Sequence, residues 1–306
     1  MSNKNVPMDD SSMFSNVFSY LGLPLSRDLE DDSIDALVMG IPYDLGTSGR
    51  AGTRSGPTGL RQASANIRWE EQRWPWDFSL ADRLRAADYG DVQFLWGDSE
   101  DMLAKVEDHA ARITAAGKTL VSFGGDHFVT LPLLRGHART HGKLALIHFD
   151  AHTDTYDEEE KYNHGCMFYR APREGLIDTS KSIQIGIRTD YDRANHEFEV
   201  IDAHQANEQS VAETVAAIRQ RVGDSAAYLT FDIDCLDPAY APGTGTPVVG
   251  GMTTSKVLRI LQGIADLNIV GFDVVEVSPA YDHAEITSLA GATLALEFLY
   301  MRASRV

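Results

Sequence analysis

The sequence predicts an α/β domain with a mainly parallel central sheet. Apolar runs of strand length alternate with segments of helical periodicity, which is typical of βα units. Three of these runs end in acidic or histidine side chains, and ligands bind at the carboxyl edge of open α/β sheets. No Pro/Ser-rich linker divides the 306 residues, so we expect an N-terminal arm over 1–35, with a surface segment or short helix around 13–21, and one domain over 36–306.

Seven short apolar runs are predicted to be the strands of the sheet. They are rich in valine, isoleucine, leucine and phenylalanine, a composition that suits strands buried on both faces. In chain order these runs are 36–40, 118–123, 143–149, 182–187, 197–202, 226–232 and 268–275.

Six segments with helical spacing are predicted to connect the strands. Local signals support their starts: Pro57 begins the first, Asp98 the second, and a capping box from Ser210 to Glu213 the fourth. The last helix is apolar nearly all round, which indicates burial on several sides. In chain order the helices are 57–70, 98–116, a segment from the Gly-Gly turn at 124 to about 139, 210–222, 253–266 and 284–302.

Three strand ends carry residue types that bind metal ions. A strand's two-residue period puts the alternate polar residues after 143–149 on one face, and strand 226–232 ends in the same way. After strand 118–123, two glycines permit a tight turn that delivers a histidine to the same edge. We predict one shared cation site formed by His127, Asp150, His152, Asp154, Asp232 and Asp234.

Two imidazoles and four carboxylates are too many ligands for one tetrahedral zinc ion. Oxygen donors dominate, which favours Mn²⁺ or Mg²⁺, and the imidazoles tilt the choice toward Mn²⁺. Two ions ~3.5 Å apart would suit six ligands, and four carboxylates would balance their charge. Such a pair lowers the pKa of a bridging water from ~15.7 to near neutrality, so the predicted chemistry is metal-assisted hydrolysis.

Composition narrows the classes of partner. The net charge of -18 argues against nucleic acid and favours small cationic substrates. No apolar run approaches the ~20 residues of a membrane span, and the first residues lack the order of a signal peptide, so we expect a cytoplasmic protein that does not bind membranes. The two cysteines, Cys166 and Cys235, are predicted to be buried free thiols.

Some polar residues near the motifs are predicted to be structural. Asp126 and Asp237 are expected to hold loops, and His148 to be a core residue or to support a ligand. The glycine-rich loop between 46 and 57 lacks the spacing of a phosphate cradle and is expected to be structural. The aromatic stretch 69–76, which contains a proline, suits an irregular surface or a subunit contact.

Three motifs give the chain a recognisable resemblance. Gly124-Gly125-Asp126-His127, Asp150-Ala151-His152-Thr153-Asp154 and Asp232-Ile233-Asp234-Cys235-Leu236-Asp237-Pro238 resemble those of the ureohydrolases, the arginase and agmatinase family. The stretches 123–135, 243–247 and 276–282 resemble most its bacterial agmatinase branch. The resemblance covers nearly the whole chain. It implies an arginase-like three-layer α/β/α fold, two Mn²⁺ per subunit, a trimer or hexamer of identical chains, and hydrolysis of a guanidino group to urea and an amine.

The resemblance also implies roles for individual residues. The six predicted ligands match the family's metal positions, with His127 on one ion and His152 on the other. Asp154 would also contact the nucleophile. Glu276 matches the carboxylate that binds the substrate guanidinium, and His164 matches a proton shuttle for the departing amine, so both are predicted to bind substrate and to be catalytic.

The choice of substrate is less constrained by the sequence. The pattern with which arginases hold an amino-acid carboxylate is missing between Asp154 and His164, and an acidic run, 157–160, stands there instead. Agmatine, which ends in an ammonium that such a run would attract, is the expected substrate mainly because of the resemblance to the agmatinase branch, with guanidinobutyrate or guanidinopropionate as alternatives. A solvated acidic loop with no substrate contact is also compatible with the pattern.

Two other classes of function use similar ligands. A binuclear phosphoesterase would have to tolerate Glu276 beside its phosphate, and no basic clamp is evident in the sequence. A non-catalytic subunit held together by metal would be expected to lose Glu276 or His164, and both are present. The enzyme interpretation is therefore preferred.

Overall fold

One continuous sheet organises the fold. The computed structural model describes residues 19–70, 72–157 and 161–305. Within those ranges eight strands form the sheet, and every pairing between them is parallel. In chain order the strands are β1 (Ala36–Gly40), β2 (Ala86–Asp91), β3 (Thr119–Phe123), β4 (Ala145–Phe149), β5 (Ile183–Ile187), β6 (Glu199–Asp202), β7 (Ala227–Asp232) and β8 (Ile269–Val275).

The order of the strands brings distant parts of the chain to one edge. Across the sheet the order is β2-β1-β3-β8-β7-β4-β5-β6. The chain therefore leaves two positions open between β3 and β4, and β7 and β8 fill them later. As a result β3, β8, β7 and β4 are neighbours, and their carboxyl ends form the edge at which α/β sheets bind ligands.

Helices cover both faces of the sheet. One buried apolar cluster lies under α1, α7, α8 and α9, and the other lies under α3, α4 and α5, so the predicted three-layer α/β/α arrangement is confirmed. No helix within the described ranges is long and apolar enough to span a bilayer. The helices are α1 (Gly56–Ser64), α2 (Leu80–Arg83), α3 (Ser99–Ala115), α4 (Thr130–His141), α5 (Met167–Arg173), α6 (Ala203–Glu208), α7 (Val211–Val222), α8 (Thr254–Gly263) and α9 (Ile286–Ala303). Single 3₁₀ turns occur at Tyr20–Gly22, Thr53–Ser55, His127–Val129, Thr179–Lys181, Ile233–Cys235 and Pro279–Tyr281.

The two-residue period of the strands separates the two clusters. In β4, Ala145, Ile147 and Phe149 belong to the cluster under α1 and α7 to α9, whereas Leu146 belongs to the cluster under α3 to α5. His148 has the parity of Leu146, so it lies on the α3 to α5 side of the sheet. All five residues are buried.

The structure ends the first helix earlier than predicted, and it adds one strand and three short helices, α2, α5 and α6. The first helix ends at Ser64 rather than near residue 70, and strand β2 was not predicted. β2 has the sequence Ala-Ala-Asp-Tyr-Gly-Asp, which lacks the branched residues typical of strands. Its stability at the edge of the sheet depends on a tertiary contact, because the guanidinium of Arg61 donates to both carboxylate oxygens of the buried Asp88, at 2.8 and 2.9 Å.

The N-terminal arm is packed against the domain where it is described. Residues 1–18 lie outside the described ranges, and with them most of the short helix expected around residues 13–21. Tyr20 is fully buried, and its hydroxyl donates to the carbonyl of Ala292 in α9 over 2.7 Å. Its backbone N–H donates to Asp88. The arm thus contributes to the core from residue 20 onward.

Candidate metal centre

All six predicted metal ligands lie together at the carboxyl edge of the four central strands. His127 follows β3, and the residues from β4 and β7 face it from across the sheet edge. Glu276, predicted to bind substrate, follows β8 between them. Six of these seven side chains are almost fully buried where the strands end and His152 is partly exposed, with the predicted ligands His127, Asp150, His152, Asp154, Asp232 and Asp234 around one small volume.

The first half of the site surrounds His127. Its Nδ1 atom lies 3.1 Å from Asp150 Oδ2, 2.9 Å from Asp154 Oδ2 and 3.3 Å from Asp232 Oδ2. Nδ1 is buried, yet it makes no well-aligned hydrogen bond to any of these oxygens. Three oxygens and a ring nitrogen that converge without bonding to one another are suited to a shared cation.

The second half surrounds His152. Its Nδ1 atom lies 3.3 Å from Asp150 Oδ1 and 3.1 Å from Asp234 Oδ2. Asp150 therefore turns one oxygen toward each histidine and stands between the two halves. The ligand atoms of Asp150, His152 and Asp234 all lie within 4.8 Å of one another, close enough to hold one ion.

Backbone N–H groups hold the carboxylates in place. Asp150 Oδ1 accepts from the N–H of His152 over 2.6 Å, Asp234 Oδ1 accepts from that of Ala151, and Asp232 Oδ1 accepts from that of Asp234. Asp154 has a φ of 51°, a conformation that non-glycine residues rarely adopt. Such local strain is frequent at functional sites, where the surrounding structure compensates for it.

The orientation of the His127 ring is determined by a chain of hydrogen bonds beneath it. Asp273 is buried and accepts from the hydroxyls of Thr130, Tyr228 and Thr230. Because the Thr230 hydroxyl donates to Asp273, its oxygen accepts from His127 Nε2, 2.9 Å away. The proton of the neutral ring is therefore on Nε2, and the free electron pair on Nδ1 points into the carboxylate cluster, as a metal ligand requires.

The shifted pKa values in the cluster indicate that its carboxylates are unfavourable together without added positive charge. Burial, followed by the charges of Asp234 and Asp150, raises the pKa of Asp232 well above its usual range. Burial disfavours charge on His152, but the facing carboxylates outweigh it and raise its pKa to about 12. Protons supply the positive charge here, and divalent cations would replace them. The His/Asp cluster fits a binuclear metal site.

Beside the cluster, Glu276 and His164 form a hydrogen-bonded pair. Glu276 Oε1 accepts from His164 Nδ1 at 2.8 Å and from the backbone N–H of His127 at 2.9 Å. The other oxygen, Oε2, is buried and has no hydrogen-bond partner among the residues that the structure describes. Glu276 also has a positive φ of 63°. One carboxylate oxygen is thus left available for a ligand beside the metal cluster.

The charge of Glu276 affects His164. Burial lowers the pKa of His164, but the charges of Glu276, Asp154 and Asp126 exceed that effect and raise it to about 9. His164 Nε2 lies 2.8 Å from the hydroxyl of Ser48, so both ring nitrogens have partners. At neutral pH the ring is an imidazolium that can donate a proton.

Two glycine-rich loops, the first between residues 46 and 57 and the second over residues 242–247, also contribute to the site, and this contribution was not predicted. Ser48 brings the first loop against His164, although this loop was expected to be only structural. In the second loop, a Cβ on Gly245 would lie 3.5 Å from Glu276 Oε2, and Thr246 lies 3.3 Å from Asp234. The absence of a side chain at Gly245 keeps the free oxygen of Glu276 accessible. In the sequence, the available signal for this role was Gly245 itself, which follows a strand predicted to carry metal ligands.

The remaining polar residues behave as predicted. Asp126 accepts from the N–H groups of Gly46 and Phe128, and Asp237 accepts from three loop N–H groups, so both hold loops. Both cysteines are buried. His148 lies close enough to the first half of the site to be a ligand, but its Nε2 is 2.7 Å from Asp150 Oδ2 and supports that ligand instead. Residues 158–160 of the acidic run lie outside the described ranges.

Known proteins share both the sequence and the geometry. The model of the arginase family matches residues 34–301. An agmatinase of Photorhabdus laumondii is 56% identical over 296 residues, which are 97% of this chain and 96% of that protein. An agmatinase of Escherichia coli is 55% identical over the same shares.

Solved structures extend the comparison to the fold. A hypothetical agmatinase from Burkholderia thailandensis is 43% identical and superposes with a TM-score of 0.92 over 96% of this chain and 93% of that one. Proclavaminate amidino hydrolase from Streptomyces clavuligerus is 37% identical, with a TM-score of 0.90 over 96% and 99% of the two chains. Both the arrangement of the strands and the position of the site at their carboxyl ends follow from this shared fold.

Proposed function

The chain belongs to the arginase family, and we propose that it hydrolyses the guanidino group of agmatine to release urea and putrescine. Relatives that are 55–56% identical over nearly the full chain are agmatinases, which supports this substrate over others of the family. The product would enter polyamine biosynthesis. Since the whole site is present, the enzyme interpretation is preferred to a metal-held structural role.

The observation that carries the proposal is the free carboxylate oxygen of Glu276 beside the metal cluster. Glu276 Oε2 is buried without a partner, while Oε1 is held by His127 N–H and His164. An unpaired buried carboxylate oxygen is costly unless a cationic ligand completes it. A guanidinium offers planar N–H donors that match a carboxylate, and a phosphate would be repelled. The site therefore favours a guanidino substrate over a phosphoester.

We propose that the cluster holds two Mn²⁺ ions. Oxygen donors outnumber nitrogen donors by four to two in the set of His127, Asp150, His152, Asp154, Asp232 and Asp234, which suits Mn²⁺ better than Zn²⁺. His127 and His152 would each belong to a different ion, with Asp150 contacting both. When bound, divalent cations would supply the Lewis acidity that makes water a nucleophile near neutral pH.

The protein's own residues then orient the substrate and move a proton. Glu276 would hold the guanidinium beside the cluster, and Asp154, whose Oδ2 atom lies 2.9 Å from His127 Nδ1, would orient the attacking water. Addition of water and cleavage of the bond from carbon to the alkyl nitrogen give urea and an amine. The departing nitrogen needs one proton, which the imidazolium of His164 can donate.

The far end of the substrate distinguishes agmatine from its rivals. The net charge of -18 makes the molecule attractive to a dication such as agmatine and less so to a zwitterion. The arginase pattern that holds a carboxylate is absent between Asp154 and His164. Guanidinobutyrate and guanidinopropionate carry a carboxylate at that end, and they are the alternatives to agmatine that an assay has to include.

A coupled urea assay tests the proposal. Purified protein loaded with Mn²⁺ is given agmatine, arginine, guanidinobutyrate and guanidinopropionate at equal concentrations. We expect urea from agmatine, with a kcat/KM well above that for the other three. If a carboxylate-bearing compound yields urea in preference to agmatine, that compound is the substrate instead. If none of the four compounds yields urea, the proposal that the protein is such an enzyme is refuted.

We also propose, from the family resemblance, that the chain assembles into a trimer or hexamer in the cytoplasm. The exposed aromatic side chains of Trp74 and Trp96, which are 84% and 96% accessible in the single chain, support an assembly that covers apolar surface. The two buried cysteines are compatible with a reducing compartment.

A further inference from the structure

A chain of hydrogen bonds leads away from the metal centre through the side of the sheet. It begins at Asp150, whose Oδ2 atom lies 2.7 Å from His148 Nε2. His148 Nδ1 lies 2.9 Å from the amide nitrogen of Gln184 on β5. The amide oxygen of Gln184 lies 2.7 Å from His196 Nε2, in the segment before β6. Asp150, His148 and Gln184 are fully buried.

One backbone carbonyl determines the direction of every bond in this chain. The amide group of Gln184 that contacts Thr153 O, over 2.7 Å, has to be the NH₂ group, because a carbonyl oxygen only accepts. The same NH₂ group donates to His148 Nδ1, so the proton of the neutral His148 ring is on Nε2 and is donated to Asp150. The amide oxygen of Gln184 then accepts from His196 Nε2–H.

The outer end of the chain reaches a solvent-accessible cavity. His196 is half-buried and, with Tyr156, Tyr169 and Tyr191, lines a cavity of about 430 Å³. The ring of Tyr191 packs edge-on against His196 with centroids 4.7 Å apart. At the inner end, Phe168 covers His148 at 4.5 Å. The hydrogen bonds of this chain are therefore shielded from solvent near the metal centre, whereas the outer end of the chain, at His196, lies at the surface of the cavity.

We propose that Gln184 and His196 are positioning residues for Asp150 and act on it through His148. The inference rests on the proposed function, since it assigns these residues to the same metal centre. If Gln184 does not donate, His148 can carry its proton on Nδ1. The lone pair on Nε2 then faces the carboxylate oxygen of Asp150 at 2.7 Å, and the carboxylate rotates away. Because Asp150 faces both histidine ligands, such a rotation weakens both halves of the site.

Binding of Mn²⁺ measured by electron paramagnetic resonance tests this inference without relying on activity. The signal of free Mn²⁺ is titrated with metal-free full-length protein for the wild type, Gln184→Met, His196→Phe and His196→Gln. Gln184→Met keeps a side chain of similar length but has no amide, and we expect ~10-fold weaker binding, the lower end of the range for residues that support ligands. His196→Phe should lose affinity by a smaller factor.

Two further variants separate hydrogen bonding from packing. His196→Gln retains an N–H that can donate to Gln184, so we expect it to restore binding close to that of the wild type. His109→Phe is the matched control, since His109 is also half-buried and hydrogen-bonded, to Tyr89, but lies on α3 outside the chain. It should bind Mn²⁺ as the wild type does.

The possible results distinguish this inference from the proposed function. If the wild type binds two ions and Gln184→Met binds them equally well, the positioning role is refuted while the enzyme proposal stands. If the wild type binds two ions and Gln184→Met lowers the affinity for them, but no guanidino compound yields urea, the positioning role stands and the proposed function fails. A wild type that binds no Mn²⁺ refutes both.

Discussion

In the proposed reaction, substrate recognition depends on Glu276. It has a strained backbone, one oxygen held by two donors and one oxygen free. Hydrogen bonds to charged groups contribute ~1.5–3 kcal/mol, so Glu276→Gln should lower kcat/KM for agmatine by ~10- to 100-fold. Binding of two Mn²⁺ should persist, because Glu276 is not among the six ligands.

The matched control for this variant is Glu208→Gln, an exposed glutamate at the end of α6. It should leave kcat/KM unchanged in the urea assay. An equally unchanged kcat/KM for Glu276→Gln would show that the guanidinium is bound elsewhere.

His164 gives the reaction a dependence on pH. Its pKa of about 9 means that the ring is protonated below pH 9 and loses its proton as the pH rises through that value. The rate of the wild type should therefore fall on the alkaline side near pH 9. His164→Gln should be slower by ~10²- to 10⁴-fold, as expected for loss of a general acid, and its profile should lack that fall. The same alkaline fall in His164→Gln would assign it to another group.

At the scale of secondary structure, the strands that carry the site were the most predictable part of the molecule. The runs ending at Phe149 and Phe231 are apolar, buried and followed by alternate acidic residues, so local pattern alone placed the ligands. Capping at Asp98 and Ser210 was likewise local, and both caps are present.

What the sequence could not predict depends on contacts between distant segments. Strand β2 needs Arg61 of α1 to neutralise Asp88, and nothing near Asp88 in sequence announces that partner. The link between His148 and Gln184 joins residues 36 positions apart, and that between His127 and Thr230 joins residues 103 positions apart. Such pairs become visible only when strand order is known.

The packing of α4 against β8 makes the free energy of unfolding depend on pH. His137 on α4 is fully buried, with Nδ1 on the carbonyl of Leu133 and Nε2 without a partner against Gly271. Burial lowers its pKa to about 4, and the stacked ring of His141 adds to this effect. Since the pKa in the unfolded chain is ~6.5, the folded state binds fewer protons. This contribution to stability is therefore present above pH 6.5 and is lost as the pH falls toward 4.

Unfolding by urea at a series of pH values tests this prediction on protein kept free of metal by a chelator. A shift from 6.5 to about 4 corresponds to about 3 kcal/mol in total. The free energy of unfolding of the wild type should fall more steeply between pH 6.5 and 4.5 than that of His137→Met. His204→Met, an exposed histidine on α6, is the control and should follow the wild type. Parallel curves for the wild type and His137→Met would contradict the assignment.

At the scale of the whole molecule, the predicted ligands come from three central strands, β3, β4 and β7, so removal of the proposed metal ions should destabilise the fold. Burial and neighbouring carboxylates raise the pKa of Asp154, Asp232 and Asp234, which shows how unfavourable the cluster is without added positive charge. A ligand at 100 times its Kd stabilises a protein by ~2.7 kcal/mol for each site. Thermal unfolding should therefore occur at a clearly higher temperature with Mn²⁺ than with chelator.

Asp232→Asn provides the matching variant. Without metal it should unfold at a higher temperature than the metal-free wild type, because burial raises the pKa of Asp232, so folding near neutral pH costs the uptake of a proton that asparagine does not need. It should also respond less to Mn²⁺. A wild type whose unfolding temperature does not change with Mn²⁺ would show that the cluster holds no ion in the folded protein.

The exposed tryptophans support the proposal that the chain assembles with other copies of itself, and this can be tested. Trp74 and Trp96 are large apolar side chains on the surface of the single chain, and aromatic residues are enriched where subunits meet. If the chain forms a trimer or hexamer, light scattering coupled to size exclusion should give the mass of three or six chains. Trp74→Ser and Trp96→Ser remove one anchor each without touching the core, so at least one of them should shift the mass toward the monomer while the circular dichroism spectrum remains that of the folded protein. A monomeric wild type at micromolar concentration would contradict the proposed assembly, and an unchanged mass in both variants would move the interface to another face of the molecule.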